Sequence, residues 1–137
     1  MDYNHPFIDD SIIKAEDLRS KYEVNLEEKL LQFALETIRL LSYVPYKREF
    51  DVFRNQLSKS ATSIGANYQE SQAASYPEFR QRIQICLRET RETLYWLKLL
   101  DKLFKDQPVW VKKIQPLCKE AIEIKNIFGT IHNKIRK

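Results

Sequence analysis

Two histidines and two cysteines are the residues of this chain best suited to metal binding or nucleophilic chemistry. His5 and His132 stand near opposite ends of the sequence, and Cys86 and Cys118 lie far apart within helical patterns. None belongs to an HExxH motif or to the close His/Cys spacing of a zinc site. A di-metal bundle would need Glu-x-x-His on facing helices, and no such motif occurs. We therefore expect no metal, no cofactor and two buried, reduced thiols.

The polar cluster most suited to acid–base chemistry is Glu89, Arg91, Glu92 and Thr93. At helical spacing, however, Arg88 and Glu92 form an i,i+4 pair, and charge runs on helices are usually solvated faces. Asn67 and Glu70 are more consistent with capping or interhelical hydrogen bonds than with catalysis. The sequence therefore predicts no catalytic residue, and we expect a protein that is not an enzyme.

Glycine is unusually rare, with only Gly65 and Gly129 among 137 residues. Neither GxGxxG nor GxxxxGK[ST] can be written with them, so nucleotide-binding glycine loops are excluded. Hairpin corners also need glycine, which argues against an all-β fold. With 43% hydrophobic and 31% charged residues, the composition is that of one globular domain.

Proline and apolar periodicity divide the chain into helices. A short helix is predicted over residues 10–21, and a long one over 26–44 with Asn25 as its N-cap and Pro45 as its stop. Further helices are predicted over 49–71, from a capping box at Ser75 to about 104, and over 109–134. Pro116 either kinks the last helix or marks the start of its regular part.

Amphipathic helices joined by short connectors predict an all-α, antiparallel up-down-up-down four-helix bundle over residues 25–137, after an N-terminal extension at 1–24. The second helix carries a row of small residues, which permits a short distance between helix axes. The third is apolar around most of its circumference near its end, so the N-terminal segment or another subunit should cover it. The residues predicted to pack helices or subunits are Ser60, Ser63, Ile64, Asn67, Tyr95 and Trp96.

Charge is distributed unevenly along the chain. The net charge is −4 over residues 1–44, +3 over 45–108 and +5 over 109–137, which together give the formal +4. Either the basic end is a solubilising surface, or it binds a polyanion, and a symmetric oligomer would add the fields of several copies. The candidate phosphate contacts are Arg54, Lys59, Arg80, Arg82, Arg88, Lys112, Lys113, Lys119 and Lys125.

Neither a membrane span nor a secretory signal is predicted. No apolar run approaches the roughly 18 residues that cross a bilayer. Residues 1–10 are polar and acidic, without a basic segment followed by an apolar one. We therefore expect a cytoplasmic protein with no membrane partner.

Two segments carry a resemblance to a known family. They are QLSKSATSIGANYQE at residues 56–70 and ETRETLYWL at 89–97, with Glu78-Phe79 between them. Together they resemble the bacterial helical-bundle proteins encoded in 23S ribosomal RNA intervening sequences, over about residues 26–131. The chain departs from the family pattern at Tyr68-Gln69, where Ile-Ala is usual, and it lacks a glycine-rich turn after Glu70.

The resemblance implies a homopentameric assembly of up-down-up-down bundles and no established enzymatic activity. The family is also similar to the accessory protein of diversity-generating retroelements, a basic pentamer that binds nucleic acid and a reverse transcriptase. Two functions follow as expectations. One is an oligomeric protein that binds RNA or DNA, and the other is a scaffold that docks a protein partner, such as a reverse transcriptase, through Trp96, Trp110 and Tyr46.

Overall fold

The computed structural model describes the backbone of residues 10–135 and the side chains of residues 25–135. This part of the chain is all-α and contains no strand. The four long helices are α1 (Asp10–Leu41), α2 (Ser58–Gln72), α3 (Tyr76–Leu103) and α4 (Pro108–Ile135).

Helix α1 differs from the prediction at both ends. The expected short helix and first long helix form one continuous helix, so Asn25 lies inside α1 and is not an N-cap. No proline or glycine separates the two predicted segments, and the helix has no reason to stop between them. It ends at Leu41, ahead of Pro45, where the Ser42 hydroxyl donates to the Arg39 carbonyl. Of the predicted N-terminal extension at residues 1–24, the structure describes the backbone from residue 10 and none of the side chains.

The second predicted helix is interrupted near its start. Its first residues form a 3-10 turn, Arg48–Phe50, followed by a π-helical turn, Phe53–Leu57, and only then α2. Phe53 and Leu57 are both buried, so the wide turn directs two large apolar side chains into the core. The Ser58 hydroxyl bonds to the Arg54 carbonyl at the end of this turn.

The other helix boundaries agree closely with the sequence. Ser75 is the N-cap residue of α3, but its side chain makes no capping hydrogen bond. The predicted capping box therefore does not form, although the Ser75 carbonyl accepts the first intrahelical bond, from the Phe79 amide at 2.7 Å. Helix α4 begins at Pro108 and continues through Pro116, so Pro116 does not start it.

One apolar core joins the four helices. Helix α3 packs against α2 and α4, and α1 also lies beside α2 and α4, which puts α1 and α3 at opposite corners. Burial of a large aliphatic or aromatic side chain contributes roughly 1.5–3 kcal/mol. The largest fully buried apolar side chains are Phe33, Phe128, Leu30, Leu57, Ile64, Ile83, Leu97, Leu100, Ile114, Ile124 and Val44.

The α2–α3 interface is closed and internally hydrogen-bonded. Ser60 and Thr93 are both fully buried, and the Thr93 hydroxyl lies 2.8 Å from Ser60 Oγ, to which it donates. The Cys86 thiol donates to the Ile64 carbonyl at 3.4 Å. The small residues of α2 therefore allow α3 to approach closely, as the sequence predicts.

Aromatic side chains fill the end of the core where α3 turns into α4. Phe104 stacks on Trp110, with ring centroids 4.5 Å apart and planes at 12°. Phe50 contacts Phe104, and Phe53 meets Trp96 edge to face at 6.1 Å. These five residues form the aromatic cluster, which ties the 3-10 and π-helical turns to α3 and α4.

Candidate nucleic-acid and oligomer interfaces

Arg54 is held by the fold and does not extend freely into solvent. Its guanidinium donates to the carbonyls of Val44, Pro45 and Lys47, and pairs with Asp51 at 2.7 Å. These bonds satisfy carbonyls just beyond the end of α1. Among the predicted phosphate contacts, Arg54 therefore has a structural role.

Arg82 and Lys59 lie along the α2–α3 side of the bundle. Arg82 is half-buried and donates to Asn67 Oδ1 at 2.8 Å, so its guanidinium has an interhelical partner. Lys59 is exposed and acts electrostatically on Glu89. Burial raises the pKa of Glu89, aided by Glu92, while Lys59 and Arg88 oppose the rise. These bases are therefore partly balanced by neighbouring polar groups and acids.

Three exposed arginines follow the α3–α4 side of the bundle, where they line the arginine groove. Two adjoining cavities of about 250 and 400 Å³ make up this groove, and they share Gln84 and His132. Within the described chain, the three arginines make no hydrogen bond or ion pair. The lining residues are Pro77, Arg80, Gln81, Gln84, Leu87, Arg88, Arg91, Gly129, His132, Asn133 and Ile135.

A second groove of about 560 Å³ separates α1 from α4. Lys113 lies over the Tyr43 ring, with Nζ 4.2 Å from its centroid, and Lys112 is beside it. Glu36 and Glu120 also line this α1–α4 groove, so its charge is mixed. The remaining predicted bases of α4 are Lys119, which is exposed, and Lys125, which is half-buried.

A lysine bridges α1 and α4 beside this groove. Lys29 Nζ lies 2.6 Å from Glu120 and 3.0 Å from Glu123. Burial tends to lower the pKa of Lys29, but the two carboxylates outweigh it and the pKa is raised. The hydrogen bond and charge of Lys29 lower the pKa of Glu123. The α1–α4 interface therefore depends on ion pairs, whereas the α2–α3 interface depends on close packing.

The six predicted packing residues divide between the core and the surface. Ser60 and Ile64 are fully buried within the protomer, so they pack helices and do not reach another subunit. Ser63 and Asn67 are half-buried, and each bonds to a carbonyl one turn earlier in its own helix. Tyr95 remains 60% exposed, whereas Trp96 is half-buried in the aromatic cluster.

Two apolar stripes remain on the surface. On α1, Leu31 is 68% exposed, and Leu35 and Ile38 continue the same face. Leu31 also borders an apolar groove of about 380 Å³ against Thr62, Gly65 and Ala66 of α2. On α3, the second stripe comprises Tyr95, Leu99 and Leu103. Because α1 and α3 occupy opposite corners, the stripes lie on different sides of the bundle.

Of the three aromatic residues predicted to dock a partner, the structure leaves one largely exposed. Trp96 and Trp110 are partly buried against the core. Tyr46 is 87% exposed, and the Arg54 guanidinium lies 4.8 Å from its ring centroid. The sequence pattern did not show that Trp96 and Trp110 are both held in the aromatic cluster, where Trp96 contacts Phe53 and Trp110 contacts Phe104.

The structure offers little for nucleophilic or metal chemistry within its described part. Both cysteines are free; Cys86 is buried and Cys118 is half-buried. Burial raises the pKa of Cys86 to about 12 and that of Cys118 to about 11, so both thiols stay protonated near neutral pH. The described residues contain no His, Cys, Asp or Glu group that could hold a metal ion. No helix in the described part of the chain is both long and apolar enough to cross a membrane.

Sequence reasoning missed several surface residues. The α1 stripe at 31, 35 and 38 follows i, i+4, i+7 spacing. This second apolar pattern is readable in the sequence next to the buried residues of the same helix. The sequence pattern places Arg91 only in the acid–base cluster and not among the phosphate contacts. The predicted Arg88–Glu92 ion pair does not form among the described residues, which leaves Arg88 available to the groove.

Comparisons with known proteins identify the family. A crystal structure of a protein of unknown function from the S23 ribosomal protein family of Bacteroides thetaiotaomicron VPI-5482 is similar, with a TM-score of 0.66 and 29% sequence identity. The match covers 77% of this chain and 96% of that one. Comparison with curated proteins finds no match. The family model described as "23S rRNA-intervening sequence protein" matches residues 23–128, and this chain therefore belongs to the 23S rRNA-intervening sequence protein family.

Proposed function

We propose that this chain is a non-enzymatic, oligomeric bundle protein that binds RNA or DNA through basic surfaces. The observation that carries the proposal is the set of exposed arginines on α3, Arg80, Arg88 and Arg91, which form no hydrogen bond or ion pair with a carboxylate in the described structure. Unpaired guanidinium groups are well suited to phosphate, because their planar fork matches its oxygens.

The proposed topology of the bundle is up-down-up-down. Contacts between α2 and α3 support this topology, because residues later in α2 contact residues earlier in α3, as in an antiparallel pair. In α2 and α3, Ser60 contacts Thr93 whereas Asn67 contacts Arg82. The short connectors after α2 and α3 are consistent with antiparallel neighbours.

The proposed assembly is a homopentameric ring. Two different apolar stripes on two non-adjacent helices of one protomer suit a head-to-tail contact, in which the α1 stripe of one copy meets the α3 stripe of the next. Such a contact produces a ring when its rotation closes. The number five comes from the family resemblance. Light scattering with size exclusion tests it, and a monomer at micromolar concentration would contradict the assembly.

Nucleic-acid binding is tested by its dependence on salt. We expect the affinity for a labelled single-stranded RNA to fall steeply as KCl rises from about 50 to about 200 mM, because phosphate contacts release counterions. Fluorescence anisotropy measures the affinity. The absence of binding at about 50 mM salt would overturn the proposal, since the electrostatic contribution is greatest there.

The alternative is a protein-interaction scaffold without a role in nucleic-acid binding. The exposure of Tyr46 favours it, because a large aromatic side chain at the surface is a common anchor for protein partners. A pull-down of a purified candidate partner, done with and without nuclease, distinguishes the two functions. A scaffold retains that partner and loses it on Tyr46→Ala, whereas the nucleic-acid function predicts that nuclease abolishes the association.

A further inference from the structure

We infer that the arginine groove between α3 and α4 is the place where the sugar-phosphate backbone of a single-stranded nucleic acid binds. This inference rests on the proposed function and assigns it to one face of the molecule. Its ligand is a run of successive phosphodiesters, held by Arg80, Arg88 and Arg91.

The arginines are spaced for a chain of phosphates. Arg80, Gln84, Arg88 and Arg91 follow i, i+4, i+8, i+11 spacing, which keeps them on one side of α3. From Arg80 to Arg91 the helix rises about 16 Å at 1.5 Å per residue. One phosphate cannot contact both ends of such a row, whereas a segment of several nucleotides can.

The polarity of the groove also favours an anion. Its lining contains three arginines, His132 and the amides of Gln81, Gln84 and Asn133, but no acidic residue. The α1–α4 groove is larger, yet Glu36 and Glu120 line it beside Lys112 and Lys113. A polyanion meets repelling carboxylates in that groove and none in the lining of the arginine groove.

An exposed aromatic ring stands at one end of the groove. Tyr76 is 60% exposed, precedes the lining residue Pro77, and its hydroxyl lies 3.4 Å from the carbonyl of Ile135, another lining residue. Bases of a single strand stack on such rings, whereas a free phosphate gains nothing from them. This arrangement favours a single-stranded nucleic acid over a small phosphorylated ligand.

Gly129 provides a second, independent indication. Glycine inside a helix costs about 0.5–1 kcal/mol relative to alanine. A Cβ added at Gly129 would meet nothing within 4 Å, and its φ is not positive, so neither packing nor backbone conformation requires glycine. Gly129 lines the arginine groove. The missing side chain keeps the groove open for a ligand that approaches the α4 backbone closely.

The test compares charge removal inside and outside the groove. The 137-residue chain is titrated against a fluorescently labelled oligouridine of about 20 nucleotides, longer than the roughly 4–16 nucleotides of typical single-strand sites. The groove variant is Arg88→Gln with Arg91→Gln. The matched control is Lys102→Gln with Lys105→Gln, which removes the same charge from exposed positions outside both grooves.

We expect the groove variant to bind at least about tenfold more weakly, with a salt slope flatter by about 1.4, since each single-strand phosphate contact contributes about 0.7. The control should change affinity less than about threefold, because exposed charges act at long range and are screened. Equal weakening by both variants would indicate diffuse binding and overturn the inference while leaving the proposed function intact. No binding by the unmodified chain would overturn the proposed function itself.

Two further measurements separate the effect of groove shape from that of charge, and the binding of a nucleic-acid strand from the binding of a single phosphate group. Gly129→Leu obstructs the groove without changing charge and should also weaken binding at least about tenfold, a loss of about 1.4 kcal/mol or more, whereas Gly129→Ala should retain binding better. Circular dichroism confirms that both variants fold. Unchanged affinity of a folded Gly129→Leu variant would overturn the inference. Displacement of the RNA by AMP or inorganic phosphate at equal phosphate concentration would assign the groove to a small ligand and would also overturn it.

Discussion

The α2–α3 interface and the α1–α4 interface solve the same packing problem in opposite ways. Between α2 and α3, Ser60 and Thr93 bring the helices together and are completely buried. Between α1 and α4, longer side chains leave a groove of about 560 Å³, and Lys29 spans the helices by ion pairs. Side-chain size along a contact therefore decides whether two amphipathic helices close or leave a surface available to other molecules.

The largest expected effect comes from a cavity in the closed interface. Ile64 is fully buried, so Ile64→Ala should lower the free energy of unfolding by about 2–5 kcal/mol. Ile122 is 40% exposed on α4, and Ile122→Ala should change it by less than about 0.5 kcal/mol. Urea denaturation followed by circular dichroism measures both. Similar losses for the two variants would show that the α2–α3 interface does not dominate stability.

The buried hydrogen bond of the same interface gives the next effect. Thr93→Val keeps the shape of the side chain but removes the hydroxyl that donates to Ser60, so it should destabilise by about 1–3 kcal/mol. In the double variant with Ser60→Ala, the combined loss should be smaller than the two single losses added together, because the partners interact directly. Strict additivity would contradict a direct bond between them.

The ion pairs of the open interface should contribute less than either change, because Lys29 and Glu120 are only partly buried and Glu123 is exposed, so water screens their charges. The pKa of Glu123 is lowered, so its stabilisation is present above the ordinary carboxyl value of 4.5 and is lost as pH falls through the folded value. The pKa of Lys29 is raised, so its stabilisation is present below 10.5 and disappears as pH rises through its folded value. Lys29→Met should therefore reduce the melting temperature near pH 7.

The control for this prediction is the same measurement in acid. Below the folded pKa of Glu123, Lys29→Met and the unmodified chain should approach the same stability, because the Glu123 carboxylate is then protonated and no longer pairs with Lys29. A difference that persists unchanged in acid would mean that Lys29 acts through its packed aliphatic chain and not through its charge.

Thiol reactivity gives the most local comparison. Cys86 lies in the closed interface with a pKa of about 12, whereas Cys118 is half-buried with a pKa of about 11. At pH 8 we expect iodoacetamide to modify Cys118 first, and Cys86 only when α2 and α3 separate. Mass spectrometry of labelled peptides gives both rates. Equal rates in the folded protein would show that the α2–α3 interface opens readily.

Much of the fold could be predicted because it depends on local patterns. In α4, apolar residues recur at heptad spacing and are all buried: Ile114, Leu117, Ala121, Ile124 and Phe128. The prolines placed the helix ends within a few residues. The π-helical turn could not be predicted, because it depends on packing Phe53 and Leu57 against helices distant in sequence.

The candidate sites were less predictable than the helices. Charge alone gives Arg54 and Arg88 the same weight, yet one donates to three carbonyls and the other has no hydrogen bond or ion pair among the described residues. The different roles of the two arginines depend on how the segment after α1 packs against the π-helical turn that contains Arg54. The arginine groove likewise requires residues of α3 and α4 that are separated by about 40 positions, which no local pattern connects.

The aromatic cluster gives this protein an uneven optical readout. Its two tryptophans, Trp96 and Trp110, both pack at the end where α3 turns into α4. Tryptophan fluorescence, excited selectively so that the tyrosines do not contribute, therefore observes that end of the molecule and does not report on the arginine groove near Gly129 and His132. Unfolding curves from fluorescence and from circular dichroism should coincide only when both ends melt together, and a separation between them would measure the independence of the two ends in a single sample.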